Sequence, residues 1–282
     1  MQEKIKVITI GDYKDSTLEN YFRDNENIEF LELTLNENIE KLDNKLSNRD
    51  IVFLRSNELE TLLEIGKALK EKGNITVIVL EEKHVIENKE ILEKSFNTIF
   101  PVTKKGDIEN LLLELLKTID NIIFGICFIN LDIEDVKNML EDLGIAVFGT
   151  FNKNEENSEK ELVKSITYPF YNKTLKDSKK ILIHLDTLED VGLAESQVII
   201  EALRDESSKE IEDILFSLRI DTHLKNRIEC SFIAGKFREK DVLKCLDSSE
   251  VCDKKEIEEI IEILSNLSEE DKEISSSHVI EL

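Results

Sequence analysis

The sequence predicts an α/β protein with an N-terminal doubly wound parallel sheet, a long central helix and a C-terminal α/β domain with a mixed sheet. Three observations carry this. Short apolar runs alternate with helical stretches over the first hundred or so residues. A broad apolar stripe at helical spacing follows. Beyond it, strands lengthen and pair differently. The implied organisation is residues 1–105, 106–125, 126–238 and 239–282.

The first strand is Ile5-Lys6-Val7-Ile8-Thr9-Ile10, ending at Gly11, with helix expected from Ser16. Ile28 to Leu33 is a second strand, followed by a polar helix near Ile39 to Leu46. Ile51-Val52-Phe53-Leu54 is the third, and Ser56 is expected to cap a helix carrying Leu59, Leu62, Leu63, Gly66 and Leu69 on one face. Ile75 to Leu80 is almost continuously apolar, as a strand covered on both faces should be. A helix near Lys89 to Ser95 and a strand at Thr98-Ile99-Phe100 complete the alternation.

Between Asp107 and Phe124 the residues Ile108, Leu111, Leu112, Leu115, Leu116, Ile119, Ile122 and Ile123 recur at helical spacing. A stripe that wide must be buried on more than one side, which makes this helix a spine between two domains. Next come a helix from Asp132 to Leu143, stopped by Gly144, and a single strand Ile145 to Gly149. Further helices are expected over Ser158 to Ile166 and Leu193 to Leu203, with a strand at Lys180 to Leu185. The last two strands, Ile214 to Ile220 and Arg227 to Ala234, read as a hairpin-like pair across the polar turn Asp221 to Asn226. Beyond Arg238 an amphipathic helix with Ile257, Ile260, Ile261, Leu264 and Leu267 on one face precedes an acidic, serine-rich tail.

Composition narrows the function. The formal net charge is -24 over 282 residues, which argues against binding nucleic acid or anionic lipid, since each phosphate contact needs a cation. No apolar run is long enough to insert in a membrane, and Met1-Gln2-Glu3-Lys4 lacks the features of a signal peptide, so a cytoplasmic location is expected. The four cysteines, Cys127, Cys230, Cys245 and Cys252, form no C-x-x-C pair, and His84, His184, His223 and His278 form no ligand-like cluster with them. No metal is therefore expected. Cys230 and His184 sit in strands and read as packed side chains.

Several segments, in order and spacing, resemble the FtsZ family. Phe128-Ile129-Asn130-Leu131-Asp132-Ile133-Glu134-Asp135-Val136 resembles its synergy loop, I-N-x-D-x-x-D-V. Gly144-Ile145-Ala146-Val147-Phe148-Gly149 resembles its G-x-A-x-x-G strand, and Ile166-Thr167-Tyr168-Pro169 its I-S-S-P turn. Ser178 to Leu185 and Ile214 to Phe237 resemble later strands of the same domain. The chain is accordingly read as a divergent FtsZ-like protein of the FtsZ/tubulin superfamily.

The first domain departs from that family at its phosphate loops. Gly11-Asp12-Tyr13-Lys14-Asp15-Ser16 keeps one glycine, and Arg55-Ser56-Asn57-Glu58-Leu59-Glu60-Thr61 replaces the family's G-G-G-T-G-T-G. A phosphate cradle needs backbone N–H groups free of side chains, and carboxylates at a helix N-terminus already fill the anion's electrostatic role. No GTP or other cofactor is expected, and no GTP hydrolysis by the chain alone.

In the family, the synergy loop of one subunit positions the water that attacks the neighbour's GTP. By that resemblance Asn130, Asp132 and Asp135 would act catalytically in trans. Recognition of a neighbour without catalysis remains open, as does capping alone, because Asp132 and Asp135 also have the spacing of a capping box. The expected role is a pseudo-GTPase that caps or modulates FtsZ-type filaments, its partner an FtsZ-family protein or itself. A self-assembling scaffold that uses no nucleotide is the alternative, and a divergent GTPase the third reading. A further partner would engage the segment Ile257 to Leu267 or the C-terminus.

Overall fold

Strand β1 (Ile5–Ile10) is buried along its whole length, and so are the first five residues of β3 (Ile51–Ser56). Such strands exclude water from both faces and must be covered by helices on each side. The computed structural model describes residues 4–237 apart from 14, 36–38, 43, 155–165 and 169–173. The helix expected over Ser158 to Ile166 (Ile166 excepted), Pro169, the amphipathic stretch Ile257 to Leu267 and the acidic tail lie outside the described residues.

Six strands form the first sheet, in the order β2 (Ile28–Leu33), β1, β3, β4 (Ile75–Glu81), β5 (Thr98–Val102), β6 (Gly144–Ile145), each pairing parallel with its neighbour. Helices α1 (Thr17–Tyr21), α2 (Leu59–Glu71) and α3 (Glu82–Ser95) make the crossovers. The order reverses between β1 and β3, so a crevice opens at the carboxyl ends of these strands, where doubly wound sheets bind ligands. Ser56 does not cap α2. It ends β3, and its hydroxyl accepts a hydrogen bond from the Glu58 N–H at 3.1 Å, while Glu58 holds the cap position without a side-chain bond. Helix α3 begins seven residues earlier than its apolar spacing implies, straight out of β4, and bends at Asn88. The polar helix expected near Ile39 is a single 3-10 turn, Ile39–Leu42.

The spine helix α4 (Ile108–Phe124) matches its predicted limits. Leu111, Leu112, Leu115, Leu116, Ile119 and Ile122 are all within 1% of full burial. They share one core with Ile5, Val7, Phe53 and Val77 of the first sheet and with Phe148, Leu182 and Ile233 of the second. One helix thus packs against both sheets.

The second sheet has the order β7 (Val147–Lys153), β10 (Ile228–Gly235), β8 (Lys180–Thr187), β9 (Asp213–Ile220). It is mixed, since β8 and β9 run parallel while β10 is antiparallel to both β7 and β8. Its other face packs under α6 (Leu193–Glu206) through Ile199 and Leu203.

Two sequence expectations are corrected here. Gly144 to Gly149 is not one strand: Gly144 and Ile145 close the first sheet, and from Val147 the chain enters the second. Gly144, at φ 60°, supplies the turn into β6. Nor are the last two long strands a hairpin, because β8 lies between them. β10 takes an inner position and β9 the edge, beyond β8.

At Gly149 the backbone passes the ring of Phe232 on the paired strand, and an added Cβ would stand 2.2 Å from its Cζ. Phe232 is fully buried and meets the Tyr168 ring edge-on at a centroid distance of 5.9 Å. Gly149→Ala is expected to lower stability by about 1–3 kcal/mol through overpacking. Urea unfolding should show a lower midpoint with an unchanged slope; an unchanged midpoint would mean the ring is free to move.

Candidate functional site

Two ends of the molecule hold the candidate chemistry. The first is the crevice at the switch point. Arg55, the fifth residue of β3, extends an apolar strand with a charge, and its side chain is 2% exposed. Its Nε donates to Thr9 Oγ1 at 2.8 Å, and Nη1 donates to the Asp15 carbonyl at 3.3 Å and to Glu109 Oε2 at 3.1 Å. Nη2 pairs with Glu19 of α1. The guanidinium also lies 5.1 Å from the centre of the Tyr13 ring, whose hydroxyl donates to Glu109 Oε1 at 2.7 Å. Strand β3, the loop after β1, α1 and the first turn of α4 are thereby tied through one cation. Burial pushes the Glu109 carboxyl upward against the opposing pull of Tyr13 and Arg55, and burial together with Glu109 pushes the Tyr13 hydroxyl well up.

The rest of this end combines a covered glycine with carboxylates at a helix head. Gly11 adopts φ +73°, but the Leu35 side chain covers it, 3.0 Å from where a Cβ would stand. Helix α2 has Glu58 at its cap and Glu60 in its first turn. Arg55, Ser56, Asn57, His84 and Lys105 border a slot of about 70 Å3, and on the other side of Tyr13 an open cavity of about 490 Å3 is lined by Thr9, Gly11, Asp12 and Glu32.

The second end is the loop after α4. Phe128 and Ile129 donate backbone hydrogen bonds to the Leu218 carbonyl, at 2.7 and 3.1 Å, and Leu218 returns one to Ile129 at 3.0 Å. This ladder fixes the loop along β9, the edge strand of the second sheet. Asn130 and Asp132 project into solvent, and Asp135 is half-buried. Asp132 caps α5 (Ile133–Glu141): its Oδ1 accepts from the Asp135 N–H at 2.8 Å, and Asp135 Oδ2 accepts from the Asp132 N–H at 3.4 Å. The capping box is therefore formed. Each carboxylate keeps a second oxygen outside it. Glu134 is engaged elsewhere, held below the usual carboxylate range by Lys137 at 2.8 Å and Arg49 at 3.5 Å. Large apolar side chains stand beside the loop, with Ile126 96%, Phe128 65% and Ile220 44% exposed.

Behind the loop, Arg219 donates to Asp186 Oδ1 at 2.6 Å and to Asn121 Oδ1 at 3.2 Å, joining β9, β8 and the end of α4. His184 is a core residue, as expected, with Nδ1 2.7 Å from Ser217 Oγ and Nε2 3.3 Å from Asp186 Oδ1. Ser217 is completely buried, so this Ser-His-Asp array meets no substrate. Cys230 is packed, and Cys127 is half-buried against the Asn121 carbonyl. Among the described residues there is no grouping of His, Cys, Asp and Glu that would hold a metal ion, and no helix long and apolar enough to cross a membrane.

The two ends were unequally legible in advance. Asn130, Asp132 and Asp135 are singled out by their resemblance to the family's synergy loop, whereas no reading of the sequence brings Arg55, Glu19 and Glu109 together. The cluster's one signal is a charge continuing the apolar strand Ile51 to Leu54 into the switch point.

No family model matches the sequence. The cell division protein FtsZ of Aquifex aeolicus (strain VF5) is 23% identical over 185 residues, which is 65% of this chain and 48% of that protein. The chain thus spans about half the length of the curated relative it matches. Among solved structures, an empty FtsZ dimer from M. jannaschii superposes with a TM-score of 0.64 at 15% identity, over 83% of this chain and 88% of that one. GDP-form protofilaments of TubZ from Bacillus thuringiensis serovar israelensis give 0.59 at 11% identity over 98% and 94%. CetZ from Methanosaeta thermophila gives 0.55 at 13% over 96% and 98%. The chain has the FtsZ/tubulin-like fold.

That fold family implies GTP at the switch-point crevice, and the residues here do not fit its phosphates. Glycine is covered by Leu35, carboxylates head α2, and the buried cation is already paired within the chain.

Asp186 offers a test of the anchor behind the loop. Burial raises its carboxyl, but His184 and Arg219 outweigh that and leave it below the usual range. A depressed folded value stabilises the protein above the ordinary carboxylate pKa of about 4 and loses that contribution as pH falls through the folded value. Asp186→Asn should therefore destabilise the protein at neutral pH and flatten the acid limb of its stability curve below about pH 4. An unaltered acid limb would remove Asp186 from the anchor.

Proposed function

We propose that this chain is an FtsZ-like pseudo-GTPase of the cytoplasm, a regulatory partner of FtsZ-type filaments that presents Asn130, Asp132 and Asp135 to a neighbouring subunit. The contrast between its two ends carries the reading. At the phosphate end Arg55 is paired with carboxylates of its own chain, while the loop end is exposed, laddered to β9 and flanked by Ile126 and Phe128. Exposed aromatic and aliphatic groups around polar residues are the anatomy of a docking surface.

A subunit that offers its loop but has no competent phosphate end joins a filament on one side only. It caps that filament or alters its turnover. Whether the loop also assists hydrolysis depends on the second oxygens of Asp132 and Asp135, which the capping bonds leave available to orient a water. A nucleotide-independent scaffold of this chain alone is the second reading, supported by the same exposed apolar groups, since a second copy would cover them equally well.

The test is GTP turnover and sedimentable polymer of an FtsZ-family GTPase, titrated with this protein, with Asp132→Ala/Asp135→Ala and with Asp132→Asn. The wild type should change turnover or polymer mass below one equivalent, and the double variant should not. Asp132→Asn retains a good cap, whereas Asp132→Ala loses about 1 kcal/mol of it. An effect that survives in Asp132→Asn assigns the loop to recognition, and one that disappears with the charge assigns it to catalysis in trans. Tight, stoichiometric GTP in the purified protein would overturn the proposal, and filaments of the chain alone without nucleotide would favour the scaffold.

A further inference from the structure

A guanidinium binds carboxylates and phosphates through the same planar fork of donors. Arg55 is almost fully buried at the one place where the sheet topology opens a crevice, and its partners there are Glu19 and Glu109 from two different helices. Neither carboxylate is comfortable. Glu109 is raised chiefly by burial, and Glu19 Oε2 is buried without a hydrogen-bond partner. Groups suited to anions stand beside the cluster unused by it: the Ser56 hydroxyl, the Asn57 amide, His84 and Lys105 line the adjoining slot.

We propose that this crevice is a self-occupied anion site, in which the carboxylates of Glu19 and Glu109 hold the place around Arg55 that an inorganic polyphosphate would otherwise take. The inference rests on the reading of the phosphate end given above, and deepens it: the site is blocked from within and not erased. Because the blocking groups belong to the chain, they compete with any free anion at a high effective concentration. An anion must displace two carboxylates and bear their repulsion, which no millimolar ligand of ordinary affinity achieves. Neutralising them with the isosteric amide keeps a similar side-chain volume, weakens their hold on the guanidinium and removes the repulsion, so that an anion can displace them.

The experiment is isothermal titration of inorganic tripolyphosphate into the full chain, with circular dichroism confirming each variant's fold. Wild type should show no binding at millimolar concentration. Glu19→Gln/Glu109→Gln should bind at least about tenfold more tightly, and Glu19→Gln/Glu109→Gln/Arg55→Gln should lose that gain. Should the double variant fail to fold, Glu19→Gln alone serves, because that side chain is 35% exposed and its replacement leaves the Glu109 pair in place; a smaller, Arg55-dependent gain is then expected. A folded variant without gain, a gain that persists when Arg55 is removed, or wild-type binding as tight as the variant's would each overturn the proposal. None of these readouts involves an FtsZ-family partner, so failure here and failure of the filament titration are separable.

Discussion

Helix α4 is buried on the faces it turns to both sheets, and the rest of the molecule is arranged around that burial. Leu111, Leu112, Leu115, Leu116, Ile119 and Ile122 each remove a side chain from water that stabilises by roughly 1.5–3 kcal/mol. Helix α5 shares that core through Val136, Met139 and Leu140. Because α4 cannot slide without exposing this stripe, its two ends are fixed in space, about 25 Å apart at 1.5 Å per residue over its 17 residues. Glu109 is thereby delivered to the switch-point crevice, and the chain after Phe124 is delivered to the edge of β9.

Each end then adds polar ties that the burial alone does not provide. At the first, Arg55 would be costly as an isolated buried cation, and the cost is offset only because Thr9, Asp15, Glu19 and Glu109 all meet it. At the second, Arg219 links Asn121 of the helix to Asp186 of β8, and the Leu218 ladder holds the loop. The ties differ in what they leave open: the first engages the guanidinium from several sides, and the second leaves Asn130, Asp132 and the apolar groups facing solvent.

The fold was largely readable from periodicity, and its failures have local causes. Ile75 to Leu80 and the α4 stripe declared themselves because burial on two faces leaves Thr76 as the one polar residue of that run and widens the apolar stripe of the helix. Gly144 to Gly149 misled because a strand's apolar pattern does not say which sheet it joins; only the positive φ of Gly144 and the pairing of Ile145 with Ile99 reveal the transfer at Ala146. The last two strands misled because adjacency in sequence is a prior for pairing and not a rule. Asp132 and Asp135 were legible since a capping box is a local motif. Arg55, Glu19 and Glu109 were not, as their meeting depends on three elements separated by 36 and 54 residues.

A tie supplied by a ligand and a tie supplied by the chain differ in one physical respect. A ligand stabilises the state it binds by RT ln(1 + [L]/Kd), so whatever it holds together loosens when the ligand is depleted or chemically changed. In this structure every tie to Arg55 comes from the chain itself. On the function proposed above, the helix that carries Glu109 at its head and the loop at its tail owe their placement to the chain alone. On that proposal the contact offered to a neighbour is permanent and not timed by a ligand.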